Sequence, residues 1–201
     1  KLSNGEIFGY INSDDFYEDG VFDIVVKFFN KNPNIDIIYG NFNYVDKNSN
    51  ILSKQKGIPF DSGIFRYDQN LICQPASFWR ENVFNKVGLF DEDLKFFMDY
   101  EFFLRCIKNG LNIKYVNFTI ANLRLHDECK TVYGQGDFVK TYKAIRQSIL
   151  DPYQINLSPG KGKDYKLFFL RILYRIKFYF IYIKTHKFYI KESYKSVVSK
   201  I

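Results

Sequence analysis

The residues that decide the fold are 4–15, which read NGEIFGYINSDD. A short apolar run, Ile7 to Ile11, lies between a turn-forming Asn-Gly pair and four polar residues, Asn12 to Asp15. This pattern is typical of a buried strand that ends in a polar turn. We therefore predict a strand over residues 7–11 whose carboxyl end leads directly into Asp14 and Asp15.

A helix and a second strand are predicted to follow. After residues 18–20, apolar side chains recur at helical spacing on one face, at Val21, Ile24, Val25, Phe28 and Phe29. This pattern stops near Asn32-Pro33, and residues 35–39 and 42–45 then read as strand. Strand, helix and strand at this spacing predict a βαβ unit. We therefore expect an α/β fold in which helices cover a largely parallel sheet.

The rest of the chain continues this alternation. Residues 47–70 are polar and irregular, so we interpret them as a loop or a short hairpin. Further strands are predicted at 72–79, 113–116 and 121–125, and further helices at 81–87, 96–109 and 138–150. Residues 152–162 contain proline, glycine and serine and read as a linker. We expect one domain over residues 1–160 and a helical tail over residues 161–201.

Charge is distributed unevenly along the chain. Hydrophobic residues make up 46% of the sequence, which is enough for a core and argues against disorder. Residues 161–201 contain 11 lysines and arginines against only Asp164 and Glu192, whereas residues 1–160 are slightly acidic. A nucleic-acid-binding domain would normally be basic throughout, so we expect no nucleic-acid partner. The cysteines Cys73, Cys106 and Cys129 lack metal-ligand spacing and read as reduced thiols of a cytosolic domain.

The aspartate pair after the first strand has two possible roles. Carboxylates just beyond the carboxyl end of a strand lie where open α/β sheets bind ligands. Asp14 and Asp15 can hold Mn²⁺ or Mg²⁺ through oxygen, with a substrate diphosphate completing the coordination shell. The alternative is an Asx turn that caps the following helix. The pair alone does not separate these roles.

A second acidic cluster lies at the start of the predicted helix over residues 96–109. On a helical wheel Asp99 lies beside the apolar stripe, and Glu101 lies roughly 160° away, beyond its other edge. Glu101 also has Arg105 four residues on, which favours a surface ion pair. We therefore assign Glu101 to structure and Asp99 to chemistry. For Asp99 the alternative is a charge or cap at the helix N-terminus.

A histidine completes the set of candidate site residues. His126 follows the predicted strand over residues 121–125 directly. A neutral imidazole is a common metal ligand, although a lone histidine is more often an ordinary surface or packing residue.

The order of these motifs resembles the family 2 glycosyltransferases, which have a GT-A fold. The matching pieces are NGEIFGYINSDD at residues 4–15, QPASFWR at 74–80, VGLFDE at 87–92 leading to DYE at 99–101, and His126. Together they cover about residues 1–130. The resemblance implies a GT-A-type, Rossmann-like mixed sheet flanked by helices.

The resemblance also implies a reaction and roles for single residues. It implies an inverting, metal-dependent transfer of a sugar from a nucleotide-diphosphate donor to a hydroxyl of a glycan or lipid-linked glycan. Asp15 is then the metal ligand and Asp14 its partner in binding metal and nucleotide. Asp99 is the general base and His126 a further metal ligand. The family often has Glu-Asp where this chain has Met98-Asp99, which removes one acid and keeps the base.

Two more residues are candidates for the acceptor side. Aromatic and amide side chains suit a sugar, so Gln74 and Trp79 are predicted to line the acceptor site. Trp79 is equally compatible with packing in the core.

One part of the family pattern is missing. Nothing in the chain matches the N-terminal βαβ half that grips the nucleotide base in this family, and the single methionine is Met98. We expect the chain to be a fragment that by itself binds nucleotide-sugar poorly and is inactive or weakly active. The alternative to an enzyme is a non-catalytic module for membrane or protein interaction that retains the fold.

The tail mixes aromatic and basic residues. Leu167 to Ile183 is 17 residues long and contains three charges, which is too short and too charged for a comfortable transmembrane helix. We predict an interfacial helix bound to anionic lipid. This predicts a cytoplasmic protein held peripherally at the inner face of the cytoplasmic membrane. The alternative is a helix packed on the domain or on a partner.

Overall fold

The computed structural model describes residues 3–94, 97–125 and 165–186, with only the backbone described at 165–168 and 186. Its six strands are β1 (Ile7–Gly9), β2 (Phe16–Tyr17), β3 (Ile37–Val45), β4 (Ile51–Gln55), β5 (Ser77–Arg80) and β6 (Ile113–Arg124). Its α-helices are α1 (Val21–Lys31), α2 (Ser62–Tyr67), α3 (Asn82–Val87), α4 (Met98–Lys108) and α5 (Tyr165–His186), with a 3₁₀ turn at Gln74–Ala76. The helix predicted at 138–150 and the linker predicted at 152–162 lie outside the described residues.

The strands form one mixed sheet in the order β1-β5-β3-β6-β2, with β4 also paired to β3. Only β3 and β6 are parallel neighbours, and the other pairs are antiparallel. Because β5 is antiparallel to both β1 and β3, strands β1, β3 and β6 run in one direction. Their carboxyl ends therefore point the same way, which is where α/β sheets bind ligands.

The prediction of a largely parallel sheet was wrong. β1, α1 and β3 do form a strand–helix–strand unit, but β5 lies between the two strands. β1 and β3 run in the same direction, as the predicted strand–helix–strand unit requires, because the helix between them returns the chain to the same end of the sheet. The local pattern carried no information about which distant strand would insert between them.

Several predicted elements change their bounds in the structure. The strand predicted at 7–11 ends at Gly9, and the one predicted at 72–79 is a 3₁₀ turn followed by β5. The two strands predicted at 113–116 and 121–125 are one continuous strand, β6. The irregular region 47–70 contains β4, which forms a hairpin with the preceding strand β3, and also helix α2, which the sequence pattern did not indicate.

Strands β3 and β6 approach closely at Gly40. A Cβ atom at this position would lie 2.6 Å from the carbonyl oxygen of Phe118. The register between the two strands shifts on either side of Asn41, next to this contact. Only glycine allows the two backbones to pair here, and the long parallel pair β3–β6 depends on it.

Each face of the sheet is covered by its own set of helices. On one face, Val21, Val25 and Phe29 of α1 pack on residues such as Ile38 and Ile120. On the other face, aromatic residues of α4, including Phe102 and Phe103, pack around Trp79 and Ile37. Ile24 was predicted on the buried face of α1 but is 45% exposed, because the buried stripe is narrower than the periodicity suggests.

The C-terminal helix α5 packs on α2. Phe178 and Tyr182 are buried with Ile58 and Ile64 in a small third cluster, and the ring of Tyr174 stacks on that of Tyr67. The structure therefore shows the alternative of a tail helix packed on the domain. Within the described ranges, no helix has the length and apolar character needed to cross a membrane.

Candidate active site

The acidic loop after β1 is held by hydrogen bonds to both carboxylate oxygens of Asp15. The Asn12 side chain donates to Oδ2 at 2.9 Å, and the backbone N–H of Arg124 donates to Oδ1 at 2.9 Å. Arg124 is the last residue of β6, so the loop after β1 is tied to the end of a strand more than a hundred residues later. Asp14 and Asp15 are both half-buried at this point.

The guanidinium of Arg124 connects the same loop to the β3–β4 turn. It donates to the carbonyl oxygens of Asp14 at 3.1 Å, Asp46 at 2.8 Å and Lys47 at 2.9 Å. It also lies 5.6 Å from the ring centre of Phe16. This side chain was not predicted as a site residue. Arg124 ends a strand just before His126, but an arginine at a strand end is too common to indicate a site residue without the tertiary contacts.

The pKa of Asp15 is raised above its ordinary value. Burial is the largest cause, and the negative charge of Asp14 adds to it. The hydrogen bonds from Arg124 and Asn12 act in the opposite direction. A carboxylate that is desolvated and lies beside a second carboxylate is stabilised by a cation between them, so the local electrostatics suit a positively charged ligand.

Asp99 lies in the first turn of α4 and is half-buried. Burial raises its pKa above the ordinary range, and the backbone N–H groups at the helix N-terminus, its own and that of Tyr100, lower it in part. Phe97, which precedes the helix, has a left-handed backbone conformation with φ of 62°. The helix therefore begins at Met98, two residues later than predicted, and Asp99 lies where the chain turns sharply into it.

Asp15 and Asp99 both act electrostatically on Cys73. Burial is the main cause that raises the pKa of the Cys73 thiol, and the charges of Asp99 and Asp15 both add to it. Both carboxylates are therefore close enough to influence the same side chain, which precedes the 3₁₀ turn at Gln74–Ala76. Two acids that are 84 positions apart in the sequence therefore influence the same thiol.

Glu101 has the structural role that was predicted from its position on the wheel. It pairs with Arg105 through two bonds of 2.7 and 2.8 Å. Arg105 also donates to the carbonyl oxygens of Val87, the last residue of α3, and Leu89, in the turn after it. The pair therefore fixes α4 to the end of α3 and the turn after it.

The two predicted acceptor residues occupy buried positions. The Gln74 amide donates to the carbonyl oxygen of Tyr10, at the start of the acidic loop, and so supports that loop. Trp79 is 1% exposed and packs in the core, which was the alternative for this residue. Its indole N–H is buried and has no hydrogen-bond partner among the described residues. Trp79 also lines a cavity of about 390 Å³.

This cavity lies next to the acidic loop. Gly9 and Tyr10 form one side, Phe84 and Phe90 another, and the carboxylate-bearing residues Glu81 and Glu92 also line it. Gly9 has no room for a side chain, since a Cβ there would lie 2.6 Å from the Phe78 ring. A cavity with aromatic walls and a few polar groups has the composition of a small-ligand site.

A network of polar side chains holds the segment that follows the acidic loop. Asn43 and Asn122 are paired across β3 and β6, and Asn43 donates to the Asn122 side chain at 2.8 Å. Both amides also donate to Oε1 of Glu18, at 3.2 and 3.0 Å. Glu18 follows β2, so this network anchors the segment that leaves the acidic loop. The sequence signal for this network was the presence of two asparagines within strands whose other residues are mostly apolar.

The donor set of the acidic loop fits a hard divalent cation. Carboxylate oxygens are the ligands that Mg²⁺ and Mn²⁺ prefer, and such ions usually take one or two carboxylates from the protein. Within residues 3–94, 97–125 and 165–186, no three His, Cys, Asp or Glu side chains gather into a metal site. His126, predicted as a further ligand, lies outside the described residues. Asp14 and Asp15 are therefore the described residues that would hold the ion.

Several proteins of known sequence that carry glycosyltransferase or synthase names are similar to this chain. No family model matches the sequence. The chain is 27% identical over 137 residues to an uncharacterised glycosyltransferase of Rickettsia typhi, a match that covers 63% of this chain and 42% of that protein. It is 24% identical over 128 residues to chondroitin synthase of Escherichia coli, covering 64% of this chain and 18% of the synthase. A glycosyltransferase of Methanocaldococcus jannaschii is 21% identical over 128 residues, covering 62% and 44%.

A solved structure has a similar fold. The chain superimposes on S. aureus TarS, solved in complex with UDP, with a TM-score of 0.50 and 13% identity over 96% of this chain and 52% of that one. The chain is related to the glycosyltransferases. The chain has the GT-A-type mixed sheet flanked by helices that was predicted. It spans less than half the length of the curated relatives that it matches.

Proposed function

We propose that the chain is part of an inverting, metal-dependent glycosyltransferase of family 2. In this proposal a sugar moves from a nucleotide-diphosphate donor to a hydroxyl of a glycan or lipid-linked glycan. The relatives support the reaction class, since they are named glycosyltransferases and one is a chondroitin synthase. The UDP in the TarS crystal supports a nucleoside diphosphate as the leaving group.

The observation that carries the proposal is the arrangement of the acidic loop, in which hydrogen bonds from Asn12 and Arg124 orient the carboxylate of Asp15. Transfer of a sugar from a diphosphate needs two functions at one place. Negative charge that develops on the departing diphosphate must be stabilised, and a proton must leave the attacking hydroxyl. The acidic loop and the start of α4 provide separate carboxylates for these two functions.

The aspartates of the loop serve the leaving group. A divalent cation bound by Asp15 and Asp14 would offset the charge of the diphosphate as the glycosidic bond breaks. The chain itself keeps these carboxylates in position. Arg124 and Asn12 occupy both oxygens of Asp15 with hydrogen bonds, so the side chain is oriented before any ligand arrives.

Asp99 serves the acceptor. As a general base it takes the proton of the acceptor hydroxyl, whose oxygen forms the new bond to the anomeric carbon from the face opposite the diphosphate. This single displacement inverts the anomeric centre. A raised pKa makes Asp99 a stronger base than an exposed aspartate, which suits the task. The cavity beside Tyr10 and Trp79 is the candidate acceptor site.

The test uses the full-length protein that contains this chain. We expect Asp99→Asn to lower the rate of sugar transfer by about 10²–10⁴-fold, the usual contribution of a general base. Binding of the nucleotide-sugar, measured by calorimetric titration with Mn²⁺ present, is expected to stay within a few-fold. Glu101→Gln is the matched control, because it removes a nearby acid whose partner is Arg105 and leaves transfer per folded molecule intact.

Two results would contradict the proposal. Undiminished transfer in Asp99→Asn would exclude it as the base. A full-length protein without transferase activity, in which Asp99→Asn and Asp15→Asn change no measurable property, would favour the non-catalytic interaction module instead.

A further inference from the structure

Helix α5 has two apolar faces, and the described part of the domain covers one of them. The covered face carries Tyr174, Phe178 and Tyr182, which pack on α2 and on Ile58. Gly63 of α2 makes this contact possible, because any Cβ at this position would overlap the ring of Tyr174. The helix is therefore fixed to the domain in one orientation.

The opposite face of α5 is apolar and exposed. It consists of seven large side chains with exposures from 41% to 71%, namely Phe169, Ile172, Leu173, Ile176, Tyr179, Phe180 and Ile183. At 3.6 residues per turn these positions fall within an arc of roughly 120° along the whole helix. A continuous exposed stripe of this kind marks an interaction surface rather than a scattering of surface residues.

Cations lie along both borders of this stripe. Lys177 and Lys184 are roughly 80–100° from its centre on one side, and Arg175 is roughly 100° away on the other. No acidic residue occurs between Tyr165 and His186. Arg175 and Lys177 pair with Asp68 and Asp61 of the domain, yet their side chains remain 55% and 47% exposed. They therefore face both the domain and the solvent beside the stripe.

We propose that the exposed face of α5 lies on the surface of an anionic lipid bilayer. The aliphatic side chains of the stripe suit the bilayer interior, and its aromatic side chains suit the interface. The cations on both borders suit the negatively charged headgroups. A second copy of the chain fits less well. Pairing two α5 helices through this face would bring their cations together without an acid in either helix.

The consequence is a membrane surface at a fixed orientation to the sheet. Because α5 is docked on α2 through Tyr174 and through two ion pairs, lipid on its outer face holds the whole domain rather than a free tail. This inference goes beyond the proposed reaction and does not depend on it, since its readout is binding to lipid.

The experiment measures sedimentation of the 201-residue chain with vesicles. The vesicles contain phosphatidylglycerol and phosphatidylcholine in equal parts, and a second set contains phosphatidylcholine alone. We expect binding to the anionic set that weakens as salt is raised. Ile176→Ser and Phe180→Ser are each expected to weaken binding at least about tenfold. Both residues are more than 60% exposed, so the variants fold as the parent does.

The matched control is Ile24→Ser, which removes an exposed isoleucine from α1, far along the chain from the stripe. It is expected to bind vesicles as the parent does. The proposal is overturned if the chain does not bind anionic vesicles, if it binds neutral vesicles equally well, or if Ile24→Ser and Ile176→Ser behave alike. It is also overturned if ultracentrifugation shows a lipid-free dimer that Ile176→Ser dissolves.

Discussion

At the scale of single residues, the candidate site depends on Arg124 as much as on the acids. Its backbone N–H orients Asp15, and its guanidinium ties the carbonyl of Asp14 to those of Asp46 and Lys47. One side chain thus joins the segment after β1 to the β3–β4 turn. Charged donors to carbonyl oxygens are among the stronger hydrogen bonds in proteins, so this residue is a positioning residue for the loop.

We expect Arg124→Met to lower the free energy of unfolding by about 1–3 kcal/mol, because the carbonyl groups of Asp14, Asp46 and Lys47 lose a charged donor. Nucleotide binding by the full-length protein is expected to weaken as well, since Asp14 and Asp15 lose their support. Urea denaturation and calorimetric titration measure the two effects. Lys114→Met, at an exposed position of the same strand, is the control and should change stability by less than about 0.5 kcal/mol. Equal effects for the two variants would exclude the positioning role.

The burial of Asp99 predicts a shift in the pH dependence of sugar transfer. A general base works in its ionised form, and burial raises the pKa of Asp99. Transfer by the full-length protein is therefore expected to fall as pH decreases through a value above about 4, the ordinary aspartate pKa. A pH profile of kcat/KM checks this expectation, and an acid limb at the ordinary value would contradict it.

The same burial has a consequence for stability. A carboxyl with a raised pKa in the folded state destabilises the fold as pH rises through that pKa, because the unfolded chain releases the proton more easily. We therefore expect Asp99→Asn to have a melting temperature at pH 7 equal to or above that of the parent. A marked decrease would show that the ionised carboxylate contributes to stability, in conflict with the raised pKa.

At the scale of secondary structure elements, local patterns did not predict the contact between α2 and α5. Helix α2 has only six residues, capped by Asp61, whose side chain accepts from the N–H groups of Gly63 and Ile64. So short a helix has little stability by itself, and its burial under α5 explains why it forms in a region that reads as irregular.

Gly63→Ala tests this contact. Alanine favours a helix by up to about 1 kcal/mol over glycine, so the substitution alone would stabilise α2. Overlap with the Tyr174 ring reverses the sign, and we expect a net loss of about 1–3 kcal/mol together with faster hydrogen exchange in residues 165–186. Gly5→Ala is the control, since a Cβ there makes only an ordinary contact at 3.5 Å. Unchanged exchange in Gly63→Ala would show that α5 is not packed against α2.

At the scale of the whole molecule, α5 is part of the fold as well as a surface. Its residues Phe178 and Tyr182 complete the cluster with Ile58 and Ile64, which would face solvent without it. A chain that ends at Lys163 is therefore expected to lose about 3–6 kcal/mol of unfolding free energy, from the apolar area of two large side chains.

Urea denaturation of the truncated chain measures this loss. The comparison is the double variant Ile176→Ser and Phe180→Ser, which alters only the exposed face of α5 and should change stability by about 1 kcal/mol or less. A truncated chain as stable as the parent would mean that the body folds without α5. In that case the prediction of a separate tail over residues 161–201 would be the better description.

Local pattern predicted those features whose cause lies within a few residues. Apolar periodicity placed β1 before Asp14 and Asp15, and the spacing of four residues predicted the Glu101–Arg105 pair, because both depend on neighbours along one element. The α/β class and the glycosyltransferase resemblance followed from the order of such local motifs.

The tertiary structure decided everything that joins distant segments. The insertion of β5 between β1 and β3, the hydrogen bonds from Arg124 to the acidic loop and the electrostatic effect of Asp15 and Asp99 on Cys73 all connect residues far apart in the chain. Local sequence also could not predict how the tail helix is oriented. Apolar residues occur nearly all round α5, and packing on α2 determines which of its faces remains exposed. Side-chain contacts across the fold select among arrangements that local periodicity leaves equivalent.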